Sequence, residues 1–295
     1  MEKKPAVKTY GLIGHPVKHS LSPAMQNAAF ARLKINARYR LFDINPQGLK
    51  EFLLKGAFSK DLSGFNITVP HKVKAKEILE KKFPLQKDPS ITLAQAHYVR
   101  LSGAINTVKL EDKNITYRNT DVAGFLRSLT EDLKFQTKGK SVFIFGCGGA
   151  GRSVVTALSW KACGVKEIFV HDIRADAVKA AKERFLGIKN ILKFVRQKEI
   201  PRVLEKCQLL VNASSLGMKE EDPSVIEKKF LHKELFVYDV IYNRETQLVK
   251  DARSLGLVSC GGLGMLLYQG ALAFEFWTGK TAPVGMMRKA LLKAV

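Results

Sequence analysis

Short apolar runs rich in Val, Ile and Phe alternate with longer stretches whose apolar positions recur every three or four residues, and the alternation continues through almost all 295 residues. A strand that returns in parallel needs a crossover, usually a helix, so this pattern marks an α/β protein with largely parallel sheets. In the first part of the chain it predicts strands near 9–13, 37–43, 64–68, 104–109 and 114–118. Ser22-Pro23 reads as an N-cap followed by Pro at the first helical position, opening a helix to about Leu33. Pro46 opens another to about Lys55, and Pro70 starts a lysine-rich one. From Gly139 the pattern restarts with a stronger strand at 141–145, followed by strands at 167–171, 191–195, 208–212 and 236–240. Helices are expected near 150–162, 174–186, 199–206 and 246–255, and two apolar helices follow at 262–277 and 283–295. The boundary between the two arrays falls in a helix of 121–135.

Composition adds one anomaly, a formal net charge of +22 with a pI near 9.8. A hydrophobic fraction of 46% is enough for a real core, so a disordered basic tail is excluded and the charge belongs to a folded surface. Such a charge fits nucleic acid, an anionic membrane, or small phosphate and carboxylate ligands. The excess is spread over both halves, and its densest stretch, Lys72 to Lys87, interleaves lysines with apolar residues as a solvated helix face does. Without a basic stripe or a recognition motif, neither nucleic acid nor membrane is expected as a partner. The uncharged run 254–274 is long enough to raise a membrane span, but its glycines and Gln269 divide it into a short strand, a Gly turn and a buried helix. The four cysteines form no C-x-x-C pair and MEKKPAVKTY has no apolar run behind it, so a reducing, cytoplasmic setting is expected.

Three places carry chemistry. Gly146-Cys-Gly148-Gly149-Ala150-Gly151 is G-x-G-x-x-G directly after an apolar strand and before a helical run. Gly146 suits the tight turn, Gly148 lets a pyrophosphate approach, and Gly151 lets helix and strand pack. Asp172 ends the next strand, where a carboxylate would bind ribose hydroxyls and repel a 2′-phosphate, so NAD is favoured over NADP; Arg174, two residues on, would meet a phosphate if turned inward and reads equally as a solvent-exposed first-turn residue. At Gly64-Phe-Asn66-Ile-Thr68-Val-Pro70-His-Lys72, Lys72 falls in the first turn of a helix, against the dipole, a setting for a proton-transfer lysine as well as for a surface one. The clusters Ser102 to Thr107 and Asn119-Thr120-Asp121 also sit at element ends, where Asn119 or Thr120 could simply cap a helix. His15 and His19 have helical spacing, but Pro16 and Pro23 make a helix there improbable, so no metal is expected; His71 reads as a surface residue, with tuning of the site beside Lys72 as the other reading.

The stretches HPVKHSLSPAMQN, GFNITVPHK, GAINT, NTDVAGF, GCGGAGR, NASSLGM, DVIYN and GGLGMLLYQGALAFEFWTG together resemble the shikimate/quinate dehydrogenase family over essentially the whole chain. The resemblance implies an α/β substrate-binding domain of residues 1–120 completed by about 275–295, and a Rossmann-type doubly wound NAD(P)-binding domain of 121–274. It implies reduction of 3-dehydroshikimate to shikimate with NAD or NADP, a step of chorismate and aromatic amino-acid biosynthesis, with quinate dehydrogenase as the near alternative. Lys72 and Asp121 resemble the catalytic pair, Lys72 donating a proton to the substrate oxygen and Asp121 holding its ammonium. Ser20 and Ser22 resemble the carboxylate-binding serines, aimed alike if the segment is extended, and Tyr242 joins them; Thr68, Asn106 and Gln269 match positions that bind ring hydroxyls. Gly262 joins the glycines of the turn as a cofactor position, and Asn66 is kept as structural. Departures are His171-Asp172-Ile173 in place of an Asn-Arg-Thr turn, Val122 in place of Gly, and a long segment at 82–97 with no assigned role. A monomer or homodimer is expected.

Overall fold

The computed structural model describes residues 6–111 and 114–294. The chain divides into two compact units, Met1–Thr120 with Leu267–Val295, and Asp121–Leu266, so the return to the first unit comes at 267, ahead of the expected 275.

The sheet of the first unit has the order β2-β1-β3-β4-β5, with β1 Lys8–Gly14, β2 Ala37–Asp43, β3 Leu62–Ile67, β4 Thr107–Glu111 and β5 Asn114–Arg118. The first three strands run parallel, as expected, but β4 runs antiparallel to both its neighbours, β3 and β5, and only two residues separate β4 from β5, where a parallel pairing would need a crossover. The register sets Asn66 opposite Thr107 and Thr107 opposite Arg118, a row of polar residues across three strands. The helix expected from Pro46 is instead Leu49–Glu51, a π-helical turn Phe52–Gly56 and Ala57–Ser59; adjacent Phe52 and Leu53 are both buried there, which plain 3.6-residue periodicity does not anticipate. Ile13, Phe65, Val99 and Val108 lie in the core beneath the sheet. The C-terminal segment closes the other face. Helix Ser22–Arg32 packs on helix Val284–Leu292. Trp277 stacks on Tyr10 at 5.0 Å and donates its indole N–H to the Val108 carbonyl at 2.8 Å. A Cβ on Gly64 would sit 2.6 Å from that indole nitrogen, so only glycine lets Trp277 seat.

The sheet of the second unit is wholly parallel, in the order β11-β10-β9-β6-β7-β8. Its strands are β6 Ser141–Phe145, β7 Glu167–His171, β8 Leu192–Phe194, β9 Leu209–Asn212, β10 Phe236–Asp239 and β11 Ser259–Cys260. This is the doubly wound order, whose direction reverses between β6 and β9, and ligands of such sheets bind outside the carboxyl ends of the strands at that switch. The uncharged run 254–274 resolves into the end of helix Gln247–Ser254, β11, a glycine turn and helix Leu263–Thr278. Among the described residues no helix is long and apolar enough to cross a membrane.

Candidate active site

In the first unit the site grows from the end of β3. Thr68 N–H donates to the Ile13 carbonyl at 2.9 Å, and His71 N–H turns back to the Thr68 carbonyl at 2.9 Å. Helix Lys72–Lys82 starts there, so Lys72 stands in its first turn, half-buried, with its own carbonyl taking the Ile105 N–H at 3.1 Å. That bond ties the backbone of the candidate proton donor to the GAINT loop. His71 is not on the surface: it is 1% exposed, with Nε2 on the Ile44 carbonyl at 2.6 Å, because the turn at Thr68 points it inward toward the loop after β2.

Asn106 is the hub of the polar cluster. Its backbone joins β3 to β5, the carbonyl accepting from Ile67 N–H at 2.8 Å and the N–H donating to Arg118 at 3.1 Å. This is why β4 starts at Thr107 rather than at the expected 104. The Asn106 side-chain amide donates to Thr120 Oγ1 at 2.9 Å and Gln269 Oε1 at 3.2 Å, and its Oδ1 accepts Thr120 N–H at 2.7 Å. Thr120 is thus held from outside its helix, Thr120–Glu131, and Asn119 donates to Ser102 Oγ and the Ala104 carbonyl. Asp121, 6% exposed, is the next residue of that helix. Asn66 also belongs to the cluster: it donates to the Asn106 carbonyl and Thr107 Oγ1 and accepts from Tyr39 Oη at 2.8 Å.

The two serines are not in an extended segment. The helix begins at Ser22 itself, with Pro23 behind it, and Ser20 Oγ accepts the Ser22 N–H at 3.2 Å. Leu21 is the N-cap and no side chain caps the helix, so a turn just before its start relates the two hydroxyls in place of strand alternation. Burial pushes the Tyr39 phenol well up, and its hydrogen bond with Ser22 offsets this only in part, so Ser22 and Asn66 share one neutral tyrosine.

In the second unit, Gly146 follows β6 with φ +90°, and a Cβ there would lie 2.8 Å from the Ala213 backbone. A Cβ on Gly151 would lie 2.1 Å from the Gly146 carbonyl, so the third glycine is a packing requirement. Gly148 precedes helix Gly149–Leu158, in which Ala150 lies in the first turn. A Cβ on Gly149 would meet nothing within 4 Å, so its backbone is open to a ligand, as a pyrophosphate cradle at a helix N-terminus requires. Gly262 is another packing glycine, its missing Cβ replaced by the Val240 carbonyl at 2.0 Å.

Asp172 follows β7 and is already engaged. Oδ2 accepts Cys147 N–H at 2.9 Å and Arg174 Nη2 at 3.2 Å, while Oδ1 accepts Arg174 N–H at 2.9 Å and Nε at 3.3 Å. Arg174 stays solvent-exposed, its side chain 57% accessible, and folds back over Asp172, whose side chain is 6% exposed. Burial alone would raise this carboxyl, but the bonds from Arg174 and Cys147 outweigh it and hold it at about 2. Arg152, in the first turn after the glycines, has a buried Nε with no hydrogen-bond partner, and burial and then the nearby Arg184 lower its pKa. The DVIYN segment is fixed by Asp239, which accepts from Asn212, Thr246 Oγ1 and Ile241 N–H and so orients the turn that carries half-buried Tyr242.

Known proteins resemble this chain over nearly its whole length. Residues 12–86 match the shikimate dehydrogenase substrate binding domain, and residues 262–292 match the shikimate 5'-dehydrogenase C-terminal domain. A relative from Methanopyrus kandleri named shikimate dehydrogenase (NADP(+)) is 39% identical over 96% of this chain and 94% of its own. The chain belongs to the shikimate dehydrogenase family. Two solved structures share its fold. Shikimate 5-dehydrogenase from Listeria monocytogenes, in complex with shikimate and NAD, superposes with a TM-score of 0.82 at 29% identity, covering 98% of each chain. Quinate dehydrogenase from Corynebacterium glutamicum, in complex with NAD, superposes with a TM-score of 0.84 at 29% identity, covering 97% of this chain and 99% of its own.

The first unit therefore brings Asn106 and Gln269 together, ties Lys72 to them through Ile105, and links Ser22 to them through Tyr39 and Asn66. The partners Asp88 and Arg118, Arg152 and Asp239 were not singled out beforehand. Arg118 and Asp239 end strands, Asp88 follows a short turn and Arg152 lies in the helix after the glycines, and none of these places names a partner.

Proposed function

We propose that the chain interconverts 3-dehydroshikimate and shikimate with a nicotinamide dinucleotide, using Met1–Thr120 with Leu267–Val295 for the substrate and Asp121–Leu266 for the cofactor. The observation that carries this is the Asn106 hub, which draws Gln269 and Thr120 into one cluster of neutral donors and acceptors suited to a polyol. Thr68 completes the set for the ring hydroxyls, and Ser20, Ser22 and Tyr242 take the carboxylate. The cofactor, when bound, exchanges a hydride with the carbon that bears the oxygen. Lys72 gives or takes the proton at that oxygen, and Asp121 holds the Lys72 ammonium in place.

For the cofactor, the carboxylate of Asp172 supports NAD, as does its use by the Listeria and Corynebacterium proteins. NADP is a second reading, favoured by the guanidinium that Arg174 lays over Asp172, by the unpartnered Arg152 Nε, and by the name of the Methanopyrus relative. Quinate is the alternative substrate, differing by one hydroxyl. Assaying shikimate and quinate, each with NAD and with NADP, tests the whole reading. Turnover should be fastest with shikimate, and no turnover in any combination would end it.

A further inference from the structure

The 82–97 segment, which the function leaves unassigned, ends in a buried charge pair. Asp88 Oδ2 meets Arg118 Nη1 at 2.5 Å, and the two side chains are 7% and 3% exposed. Ser90 joins them, its Oγ accepting from Arg118 Nη2 at 2.7 Å and donating to Asp88 Oδ1 at 2.7 Å. Arg118 Nη1 also donates to the Tyr117 carbonyl at 2.8 Å, and the guanidinium lies 4.6 Å from the centre of the Phe276 ring. Nε has no hydrogen-bond partner, so the ring face takes its place. The segment is pinned at two further points: Tyr117 Oη donates to the Phe83 carbonyl at 2.9 Å, and Thr92 with Gln95 forms a capping box that starts helix Leu93–Ser102. That helix ends at Ser102, the acceptor for Asn119.

A buried ion pair is a poor route to stability, because desolvating both charges offsets most of their attraction, and its better-attested use is to fix one arrangement. Arg118 stands where the candidate site begins. It is the last residue of β5, its carbonyl accepts the Asn106 N–H at 3.1 Å, and Asn119, Thr120 and Asp121 follow it directly. We propose that Arg118 is a positioning residue for the substrate site, and that the 82–97 segment is the brace that holds it, through Asp88 and Ser90 on one side and Ser102 on the other. Letting Arg118 shift would move the backbone partner of Asn106 and the start of the helix that carries Asp121. The cofactor turn at 146–151 draws on none of these contacts.

This rests on the proposed substrate, and the test separates the two. Asp88→Asn keeps the side-chain shape and removes its charge. Expected are a fall in kcat/KM for shikimate of about tenfold or more, a cofactor KM within about twofold of the parent, and faster amide exchange at Asn106 and Thr120 but not at Ile144 of β6. Unchanged shikimate kcat/KM in a folded Asp88→Asn, whatever its thermal midpoint, would overturn the brace. If that variant does not fold, Arg118→Lys takes its place: lysine keeps the charge but cannot bridge Asp88 and Ser90 as the guanidinium fork does. The same loss is expected, and normal kcat/KM overturns the proposal. A parent chain inactive on both shikimate and quinate overturns the substrate reading instead. The exchange rates then decide the brace alone, equal rates in parent and variant refuting it.

Discussion

Arg174→Ala tests how the chain tells its cofactors apart. The substitution removes Nε and Nη2 from Asp172, at 3.3 and 3.2 Å, and leaves the backbone bonds from residues 174 and 147, each 2.9 Å long. A charge-assisted hydrogen bond is worth about 1.5–3 kcal/mol. The Arg174 side chain is 57% exposed, which places it at the low end, so kcat/KM for NADP should fall about tenfold. NAD should gain, because the carboxylate, 6% exposed beneath the guanidinium, opens to a ribose hydroxyl; at the same low end, about 1.5 kcal/mol for one bond to a charged acceptor, the gain is up to about tenfold. The NAD to NADP ratio of kcat/KM should therefore rise between about tenfold and 100-fold, measured from initial rates of shikimate oxidation with either cofactor varied. A ratio within about threefold of the parent, or one that moves toward NADP, refutes the role given to Arg174. Since the carboxyl of Asp172 is held at about 2, its charge is lost only as pH falls through that value, so its contribution to the ratio is flat across about pH 6–9.

Lys72→Ala should lower kcat by about 10²–10⁴-fold while shikimate binding, read by calorimetry, changes little; near-normal turnover would remove Lys72 from proton transfer. Gly262→Ala places a Cβ 2.0 Å from the Val240 carbonyl, so unfolding in urea should show a loss of about 1–3 kcal/mol, and an unchanged midpoint would contradict that packing. Asp88→Asn should cost about 3–5 kcal/mol at neutral pH, the usual result of breaking a buried pair. Burial would raise the Asp88 carboxyl, but bonds from Arg118 and Ser90 hold it below the ordinary range. A depressed pKa gives stability that is present above the unfolded value and lost as pH falls, so the gap between parent and variant should close below about pH 4; a constant gap would mean the charge is not what matters.

Much of this was legible beforehand because it is local. The glycine turn, the strand before it and the helix after it all lie within residues 141–158, so spacing alone predicts their arrangement. Lys72 at a helix start follows equally from Pro70 and the apolar spacing behind it. What escaped were consequences of contacts distant in sequence. His71 was expected at the surface because a histidine beside a lysine usually is, and its acceptor, Ile44, lies on another loop. Ser22 was expected to cap its helix because Ser-Pro is a strong start signal, but the helix starts one residue earlier than that signal implies. Arg174 was left undecided because backbone geometry, invisible in the order of residues, decides which way a side chain two positions past a strand points. The 82–97 segment carried no periodic signal, and its meaning lay in Arg118, 30 positions beyond Asp88.

Trp277 also sets an order of events during synthesis. The sheet of the first unit begins with β1, an inner strand, yet the indole that stacks on Tyr10 and bonds to Val108, and the helix that packs on Ser22–Arg32, are translated only after the whole of the second unit. A nascent chain that has reached residue 266 has the contiguous second unit complete, while the sheet of the first still exposes its Tyr10 face. The contiguous second unit can therefore fold before Leu267–Val295 has emerged and the first only afterwards, so a chain halted short of Trp277 should recruit chaperones through one half of the molecule alone.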